Sequence, residues 1–205
     1  MLVLQNLEAW RDDRCLYQAL SLTLRSGQVA QILGPNGVGK TTLLKQIAGL
    51  SGYLSGEIHW QEVPVSADRQ RFQRDVLFLG HLPGIKSALT VSENLQILAA
   101  CRGQALSDDR LATALTRVGL SGYDDTPVAQ LSAGQKRRVA LARLFTEAPL
   151  LWLLDEPFTA IDQAGVSELE GWLADHAEQG GMVLLTTHHR LSLRCPVLPV
   201  ELIPA

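Results

Sequence analysis

One glycine-rich run constrains this chain more than any other part of its sequence. It lies between an apolar segment typical of a strand, Val29 to Leu33, and a segment with helical spacing, Thr41 to Leu50, closed by Gly52. The run matches the pattern GxxxxGK[ST], which in a strand-to-helix context predicts a phosphate-binding loop. Its members are Gly34, Pro35, Asn36, Gly37, Val38, Gly39, Lys40, Thr41 and Thr42.

Each part of this loop has a chemical use. The glycines let backbone N–H groups wrap a β-phosphate, and the N-terminus of the following helix adds its dipole. Lys40 is expected to contact the β- and γ-phosphates, and the Thr41 hydroxyl to ligate Mg²⁺. The alternative is a chance glycine turn, which the preceding strand and the lysine and threonine disfavour.

A second apolar segment, Leu150 to Leu154, ends in an acidic pair, Asp155 and Glu156. Because it is apolar at every position, it predicts a strand buried on both faces of a parallel sheet, with its carboxyl end beside the phosphate loop. There Asp155 is expected to hold Mg²⁺ through water, and Glu156 to orient and deprotonate the attacking water. An acidic strand end is common by itself, but its pairing with the phosphate loop favours the catalytic interpretation.

The middle of the chain, about residues 90–145, changes character and predicts a helical lobe inserted between strands. Helical spacing recurs there in three segments, each opening on a serine suited to cap a helix. These segments are Ser92 to Arg102, Ser107 to Val118 and Ser132 to Phe145.

The last helix of this lobe begins with the pentapeptide Leu131-Ser132-Ala133-Gly134-Gln135. Ser132 is suited to be its N-cap, and Gly134 permits close approach of backbone to a phosphate. Taken alone, the pentapeptide is equally compatible with an ordinary capped helix start.

Bulk properties set the remaining limits. The 205 residues fit a single α/β domain, and the net charge of -3 gives no reason to expect nucleic acid as a partner. The longest apolar runs are far shorter than the roughly 20 residues of a membrane span, so we expect a soluble chain. Its three dispersed cysteines favour a reducing compartment. The basic stretch Lys136 to Arg138 is expected to be a solvated helix face.

The phosphate loop, the pentapeptide and the run Leu153 to Pro157 occur in the order of ABC-type ATPases, and the resemblance covers nearly the whole chain. It implies a P-loop α/β fold with a parallel core sheet, an antiparallel β subdomain and the inserted lobe, all in one domain over 1–205. It also implies ATP and Mg²⁺ as cofactors, and a head-to-tail homodimer. In that dimer Ser132 and Gly134 of one chain complete the ATP site of the other.

Three more residues take their expected roles from this resemblance. Asp162, at the end of Thr159-Ala160-Ile161-Asp162, is similar to the family's aspartate that contacts the other subunit. His188 matches the switch histidine that contacts the γ-phosphate. Trp10 lies about where the family stacks an aromatic ring on adenine, although a packed N-terminal tryptophan is nearly as good an interpretation.

The chain departs from the family at one position. The family usually has a glutamine after the strand that corresponds to Val76 to Leu79, where it reaches Mg²⁺ and the attacking water. Here the loop reads Gly-His-Leu-Pro-Gly-Ile-Lys from Gly80 to Lys86, which puts His81 at the glutamine position. An imidazole can hydrogen-bond water but holds magnesium poorly.

This loop, the short chain and the Asp155 to Asp162 run together resemble the ATP-binding subunits of bacterial haem-exporter ABC complexes for cytochrome c biogenesis. That resemblance implies an integral membrane permease, haem-handling cytochrome c maturation proteins as further partners, and a peripheral location on the cytoplasmic face of the inner membrane. The apolar loop His81 to Leu89 either receives the permease or packs into the lobe. Three other possibilities stay open: an ABC transporter for another cargo, a soluble ABC ATPase that does not transport, and a nucleotide-binding scaffold without turnover.

Overall fold

The computed structural model describes residues 1–52 and 55–203, which form two β-sheets and a helical lobe. Within these ranges the strands are β1 (Leu2–Arg11), β2 (Arg14–Leu24), β3 (Val29–Leu33), β4 (Ser55–Trp60), β5 (Val63–Pro64), β6 (Val76–Leu79), β7 (Leu151–Asp155), β8 (Met182–Thr186) and β9 (Val197–Glu201). The α-helices are α1 (Lys40–Ile47), α2 (Arg69–Asp75), α3 (Val91–Cys101), α4 (Asp108–Arg117), α5 (Ala133–Thr146) and α6 (Gln163–Glu178).

The central sheet is parallel and has the strand order β6-β7-β8-β3-β9. Strands β7 and β8 are buried at every position. The prediction of a buried strand before Asp155 is confirmed from Leu151 to Leu154, whereas Leu150 precedes β7 and is 43% exposed. The phosphate loop follows β3, so the carboxyl ends of three neighbouring strands bring together the loop, Asp155 and Thr186. This edge is where open α/β sheets bind their ligands.

The second sheet is antiparallel, with the order β2-β1-β4-β5. In the sequence, apolar alternation marks only Leu20 to Leu24 of β2. The segment Gly56 to Trp60 is typical of a short edge strand, but it belongs to β4, which lies between β1 and β5. The pairing of β1 with β2 shifts register repeatedly, and Asn6 and Ala19 have positive φ angles of 49°. Such bulges interrupt the two-residue alternation that identifies a strand from sequence.

The inserted lobe consists of α3, α4 and α5, between β6 and β7 in the chain. Ser107 and Ser132 cap α4 and α5 as predicted. The prediction for α3 was wrong by two residues, because Thr90 rather than Ser92 caps it. Thr90 forms a reciprocal capping box with Glu93, which satisfies two helix-end N–H groups that a lone Ser92 cap would leave open.

A buried charged cluster fastens this lobe to the edge of the parallel sheet. The side chain of Glu147 has no exposed surface, and its carboxylate lies 3.0 Å from Arg102 Nε and 2.6 Å from Arg143 Nε. Arg102 also donates to the carbonyl oxygens of Val76 and Arg74, at 2.8 and 2.7 Å. The end of α3 is therefore bonded to the residues that start β6. Among residues 1–52 and 55–203, no helix combines the length and apolarity needed to cross a membrane.

Candidate functional site

A cleft of about 910 Å³ opens at the carboxyl edge of the parallel sheet. Its floor consists of the phosphate loop and the first turn of α1, and one wall is the tip of the β1–β2 hairpin. The lining residues are Arg11, Asp12, Asp13, Arg14, Leu16, Asn36, Gly37, Gly39, Lys40, Thr41, Thr42, Asp155, Glu156, Thr186 and His188. Most of the predicted phosphate and catalytic residues thus lie together.

The phosphate loop is held in shape from beneath. Gly39 caps α1 with a φ of 109°, and a Cβ there would lie 3.2 Å from both the Leu16 Cβ and the Tyr17 ring. Only glycine satisfies both the left-handed backbone and that close approach. Val38 is 2% exposed and anchors the loop in the core. Three predicted loop residues, Gly34, Pro35 and Val38, do not line the cleft.

Lys40 lies across this loop. Its Nζ donates to the carbonyl oxygen of Gly34 at 2.7 Å and to that of Pro35 at 3.4 Å. The ammonium group therefore remains at the loop mouth, beside the N-terminus of α1. An anion in the loop would meet both the lysine charge and free backbone N–H groups.

Thr41 and Asp155 are in direct contact, although they are 114 residues apart. The Thr41 hydroxyl lies 2.9 Å from Asp155 Oδ2, and the Thr186 hydroxyl donates to Asp155 Oδ1 at 2.7 Å. Asp155 is only 4% exposed, so these two hydroxyls hold its carboxylate in one orientation. The residues predicted to serve the metal share one corner of the cleft.

The donors in this corner suit Mg²⁺ supplied together with a nucleotide. No group of three or more His, Cys, Asp or Glu side chains that could hold a metal occurs among the described residues. The corner offers a hydroxyl and one carboxylate instead. Mg²⁺ in nucleotide sites commonly takes one or two protein oxygens and completes its shell with phosphates and waters. The residues present therefore fit this ion.

Glu156 stands beside the metal corner on a sharp turn. Its φ is 48°, and its backbone N–H lies 3.1 Å from the Thr186 carbonyl oxygen and 3.0 Å from the Thr186 hydroxyl. A positive φ on a residue other than glycine is uncommon and often accompanies function. The turn directs the carboxylate into the cleft, where His188 Nε2 lies 3.6 Å away. His189 turns elsewhere, to Glu170.

The residues of the pentapeptide lie outside this cleft. Ser132 is exposed and forms a capping box with Gln135 at the start of α5. At Gly134, a Cβ would lie 3.0 Å from the carbonyl oxygen of Ala160. Asp162 caps α6, and the hydrogen bond from Gly165 N–H, helped by the charge of Arg138, lowers the pKa of its carboxyl group. Ser132, Gly134 and Asp162 do not line the cleft that contains the phosphate loop.

The basic stretch at the start of α5 differs from the prediction of a solvated face. Arg137 is only 4% exposed, and its guanidinium donates to backbone carbonyl oxygens rather than to water. Burial lowers the pKa of Arg137, and the charges of Asp155 and Glu156 partly oppose that effect. Arg138 is half-buried and bonds to Glu168. Of the three basic residues, Lys136 alone makes no side-chain hydrogen bond to another described residue.

Trp10 does not line the cleft. Its side chain is 46% exposed, and its indole N–H donates to Glu8 at 2.7 Å. Arg11, Arg14 and Leu16 line the cleft wall from the same hairpin. Sequence analysis missed them, and the available signal was strand alternation, since neighbours on a strand face opposite sides. A role for Trp10 at adenine stays a prediction.

The loop that begins at His81 is divided into two parts. His81 and Leu82 are exposed, and His81 lines a groove of about 320 Å³ that also contacts Thr41 and Asp155. The second part is held by the Asn94 amide, which accepts from Lys86 N–H at 2.7 Å and donates to the Lys86 carbonyl at 2.9 Å. Ile85 packs against the lobe core. The packing interpretation therefore holds for the second part of the loop, and docking of a permease on the exposed first part stays a prediction.

Comparison with known proteins agrees with this arrangement. Residues 17–159 match the family described as "ABC transporter". A cytochrome c biogenesis ATP-binding export protein CcmA from Vibrio cholerae serotype O1 is 52% identical over 198 residues, which cover 97% of this chain and 96% of the relative. A protein of the same name from Yersinia pestis is 52% identical over 191 residues, with 93% and 87% covered.

Solved structures show the same fold. A bacterial ABC transporter cassette solved as a dimer superposes with a TM-score of 0.84 at 25% identity, covering 98% of this chain and 96% of that one. A dimeric post-hydrolysis state of an ATP-binding cassette, bound to ADP and Pi, gives a TM-score of 0.79 at 25% identity, with 92% and 88% covered. The α/β fold with a parallel sheet, an antiparallel sheet and a helical lobe is thereby confirmed.

Proposed function

Because this chain belongs to the ABC transporter family, and within it to the cytochrome c biogenesis ATP-binding export proteins, we propose that it is the ATP-hydrolysing subunit of a membrane complex that serves c-type cytochrome biogenesis. The observation that carries the proposal is the corner of the cleft where Thr41, Asp155 and Glu156 meet beside the phosphate loop. Its residues include candidates for binding the metal and for activating the attacking water, two parts of phosphoryl transfer to water.

Binding begins at the phosphate loop. Lys40 releases the Gly34 carbonyl and binds the β- and γ-phosphates, while loop N–H groups and the α1 N-terminus hold the same oxygens. Thr41 and Asp155 would hold Mg²⁺, which would supply positive charge against the phosphate oxygens. Arg11 and Leu16 line the hairpin wall of the cleft, and we expect that wall to lie nearest the nucleotide base. A planar guanidinium can stack on a base as an aromatic ring does.

Hydrolysis uses the carboxylate beside this corner. Glu156 accepts a proton from a water molecule as its oxygen attacks the γ-phosphorus, and the bond between that phosphorus and the bridging oxygen breaks. His188 Nε2 stands 3.6 Å from Glu156 Oε1, and we expect the imidazole to contact the γ-phosphate. His81 lines a groove that also includes Thr41 and Asp155, and we expect its imidazole to hydrogen-bond the attacking water.

A second copy of the chain completes the site. Ser132 and Gly134 stand at the N-terminus of α5, which is a good anion site but lies away from the cleft of its own chain. In a head-to-tail homodimer each α5 N-terminus faces the γ-phosphate held by the partner. Asp162, 73% exposed in its side chain, then lies near the dimer interface. Two ATP molecules hold the dimer, and hydrolysis releases it.

The membrane partner is a permease subunit that docks beside the His81 loop. Two adjoining grooves, of about 550 and 320 Å³, share Phe78 and Arg143. Two large apolar side chains that line these grooves are exposed, Leu50 by 64% and Leu82 by 79%. An exposed apolar surface next to a site whose shape changes on closure is suited to pass that motion to a partner.

The permease partner places the chain at the cytoplasmic face of the inner membrane. The cargo is haem, exported as such or released on a haem-loaded chaperone that supplies cytochrome c maturation proteins. The test is deletion of the gene, which should abolish holo-cytochrome c while leaving b-type haem proteins intact. The unaltered chain should restore maturation, and a Glu156→Gln chain should not. Normal cytochrome c in the deletion strain would remove the proposed cargo while leaving the ATPase assignment in place.

A further inference from the structure

Arg137 makes an unusual set of bonds for a helix residue beside basic neighbours. Its Nη1 donates to the Gly80 carbonyl oxygen at 2.9 Å, and its Nη2 to that of Glu156 at 2.9 Å. Nη2 also reaches the Asp155 carbonyl at 3.3 Å, and Nε the Pro157 carbonyl at 3.2 Å. All three side-chain nitrogens therefore bond to backbone from two distant parts of the sequence.

These carbonyl groups belong to the two segments that carry the catalytic side chains. Gly80 immediately precedes His81, and Asp155 and Glu156 form the end of β7 and its left-handed turn. The planar guanidinium fork matches carbonyl groups spread around it, whereas a lysine ammonium offers its donors from a single point. With Arg137 at 4% exposure, no water replaces a lost bond without rearrangement.

The other end of this connection is the start of α5. Arg137 lies five residues after Ser132 in the sequence, or roughly 7.5 Å of helix rise. The intervening turn is regular and capped at Ser132. A displacement of the α5 N-terminus is therefore transmitted along a rigid helix to the Arg137 side chain.

Resting on the proposed function, we infer that Arg137 is a positioning residue that links the partner-facing end of α5 to the backbone of Glu156 and to the His81 loop. When Ser132 and Gly134 bind the partner's nucleotide, Arg137 fixes the backbone of the Glu156 turn and of Gly80. Binding at the neighbouring site thus changes the position of this chain's own catalytic carboxylate and of the loop next to the permease groove.

The test compares Arg137→Lys and Arg137→Gln with Lys136→Gln, which removes a charge from the same helical turn without touching those carbonyls. We expect both Arg137 variants to keep ATP affinity within about threefold and to lose roughly 10- to 100-fold in kcat, the scale of a misplaced catalytic group. Lys136→Gln should match the unaltered chain. Arg137→Lys keeps the charge and most of the side-chain length. If Arg137→Gln does not fold, Arg137→Lys still tests whether the guanidinium bonds position Glu156.

A second measurement separates positioning from general support. In a Glu156→Gln background that traps the ATP dimer, amide hydrogen exchange over residues 80–90 should slow on addition of ATP. The added Arg137→Lys change should abolish that protection while the dimer still forms. Retained protection, a kcat within twofold of the unaltered chain, or a parallel loss of ATP affinity and dimerisation would each overturn the inference. An unaltered chain that hydrolyses no ATP would overturn the proposed function instead.

Discussion

The two halves of the proposed ATP site are built differently. In the phosphate half, Thr41, Asp155 and Thr186 bond to one another, and Lys40 is held by its own loop. In the other half, Ser132 bonds only within the first turn of α5 and is exposed. One half is organised by a single chain. The other is an open helix end that lies outside this chain's own cleft.

The contrast shows where each half obtains its specificity. The phosphate half fixes its side chains before a ligand arrives, which lowers the cost of binding and of reaction. The α5 half contributes only a helix N-terminus, so its selectivity depends on being brought to a phosphate already bound elsewhere. Hence changes in the phosphate half should act on the chain that carries them, and changes at α5 should act on its partner.

The largest expected effect concerns the phosphate half. Glu156→Gln removes the carboxylate that accepts the water proton, so ATP hydrolysis should fall by roughly 10²-fold or more. ATP binding should remain, because Lys40 and the loop are untouched. Steady-state hydrolysis measures the loss of turnover, and size-exclusion chromatography with ATP measures the retained binding through the ATP-bound dimer. Turnover near that of the unaltered chain would disprove the role of Glu156, and a trapped dimer would support it.

The next test separates the halves by mixing chains. Lys40→Ala should weaken ATP binding and abolish turnover, while Gly134→Asp should keep binding and block its partner's site by charge and by crowding the Ala160 carbonyl. A mixed dimer then contains one intact composite site, and hydrolysis should return to a substantial fraction of the unaltered rate. Gly134→Ala is the milder control. If proven heterodimers show no recovery, α5 does not act across the interface.

The phosphate loop and the acidic pair could be predicted because their chemistry is local. A lysine, a threonine and glycines in one run, or two carboxylates after an apolar strand, specify their neighbours within a few residues. The cap of α5 was predictable for the same reason. The parallel sheet then brings Thr41 to Asp155 without further information.

The misses involve contacts between distant segments. The burial of Arg137 depends on carbonyl oxygens of residues 80 and 155–157. Because those residues are distant in the sequence, the three adjacent basic residues alone predict a solvated helix face. Whether Trp10 or Arg11 faces the cleft depends on strand register, which the β1–β2 bulges shift. A sequence pattern predicts which residues share a face of a strand as long as the two-residue period is not interrupted.

The grooves beside the phosphate half provide a third, intermediate effect. Leu82→Glu should detach the chain from membranes that contain the complex, with ATP binding intact, because Leu82 is 79% exposed. Ile85→Asp should instead lower stability, because Ile85 packs against the lobe core. Leu150→Glu, at the opposite edge of the sheet, is the matched control. Cosedimentation of Leu82→Glu with the membrane fraction would place the docking surface elsewhere.

A smaller effect is expected at the base end of the cleft. Arg11→Ala should raise the dissociation constant of ATP by about 3- to 10-fold, the scale of a stacked cation, and leave inorganic tripolyphosphate binding unchanged. Trp10→Ala should leave both unchanged, since Trp10 does not line the cleft. Titration of both variants with ATP and with tripolyphosphate decides whether Arg11 or Trp10 contacts the base. Weaker ATP binding in Trp10→Ala alone would restore the tryptophan to the adenine site.

The smallest expected effect leaves activity at neutral pH alone. His176 stacks on Trp152 with ring centroids 3.9 Å apart, and burial lowers its pKa to about 4. The unfolded chain binds the proton near pH 6.5, so the neutral histidine supports the fold above that pH, and stability falls as the pH drops from 6.5 towards 4.

The loss should reach roughly 1 to 2 kcal/mol after solvent screening. Urea unfolding at pH 7 and pH 5 measures it, with His176→Gln as the comparison. The pH-dependent part of the difference should shrink in that variant. Equal pH dependence in both proteins would show that other groups set the acid sensitivity of the fold.

Arginines attach the lobe to the rest of the chain at three separate points. Arg102 bonds the end of α3 to the start of β6, Arg137 bonds α5 to the end of β7, and Arg138 bonds α5 to Glu168 on α6. The first two bond to backbone carbonyl oxygens, whereas the third ends on a carboxylate side chain that is 48% exposed. Lost bonds to buried backbone are costly, and an ion pair open to water contributes little. A displacement of the lobe therefore costs least when it breaks the Arg138 pair and keeps the other two sets of bonds.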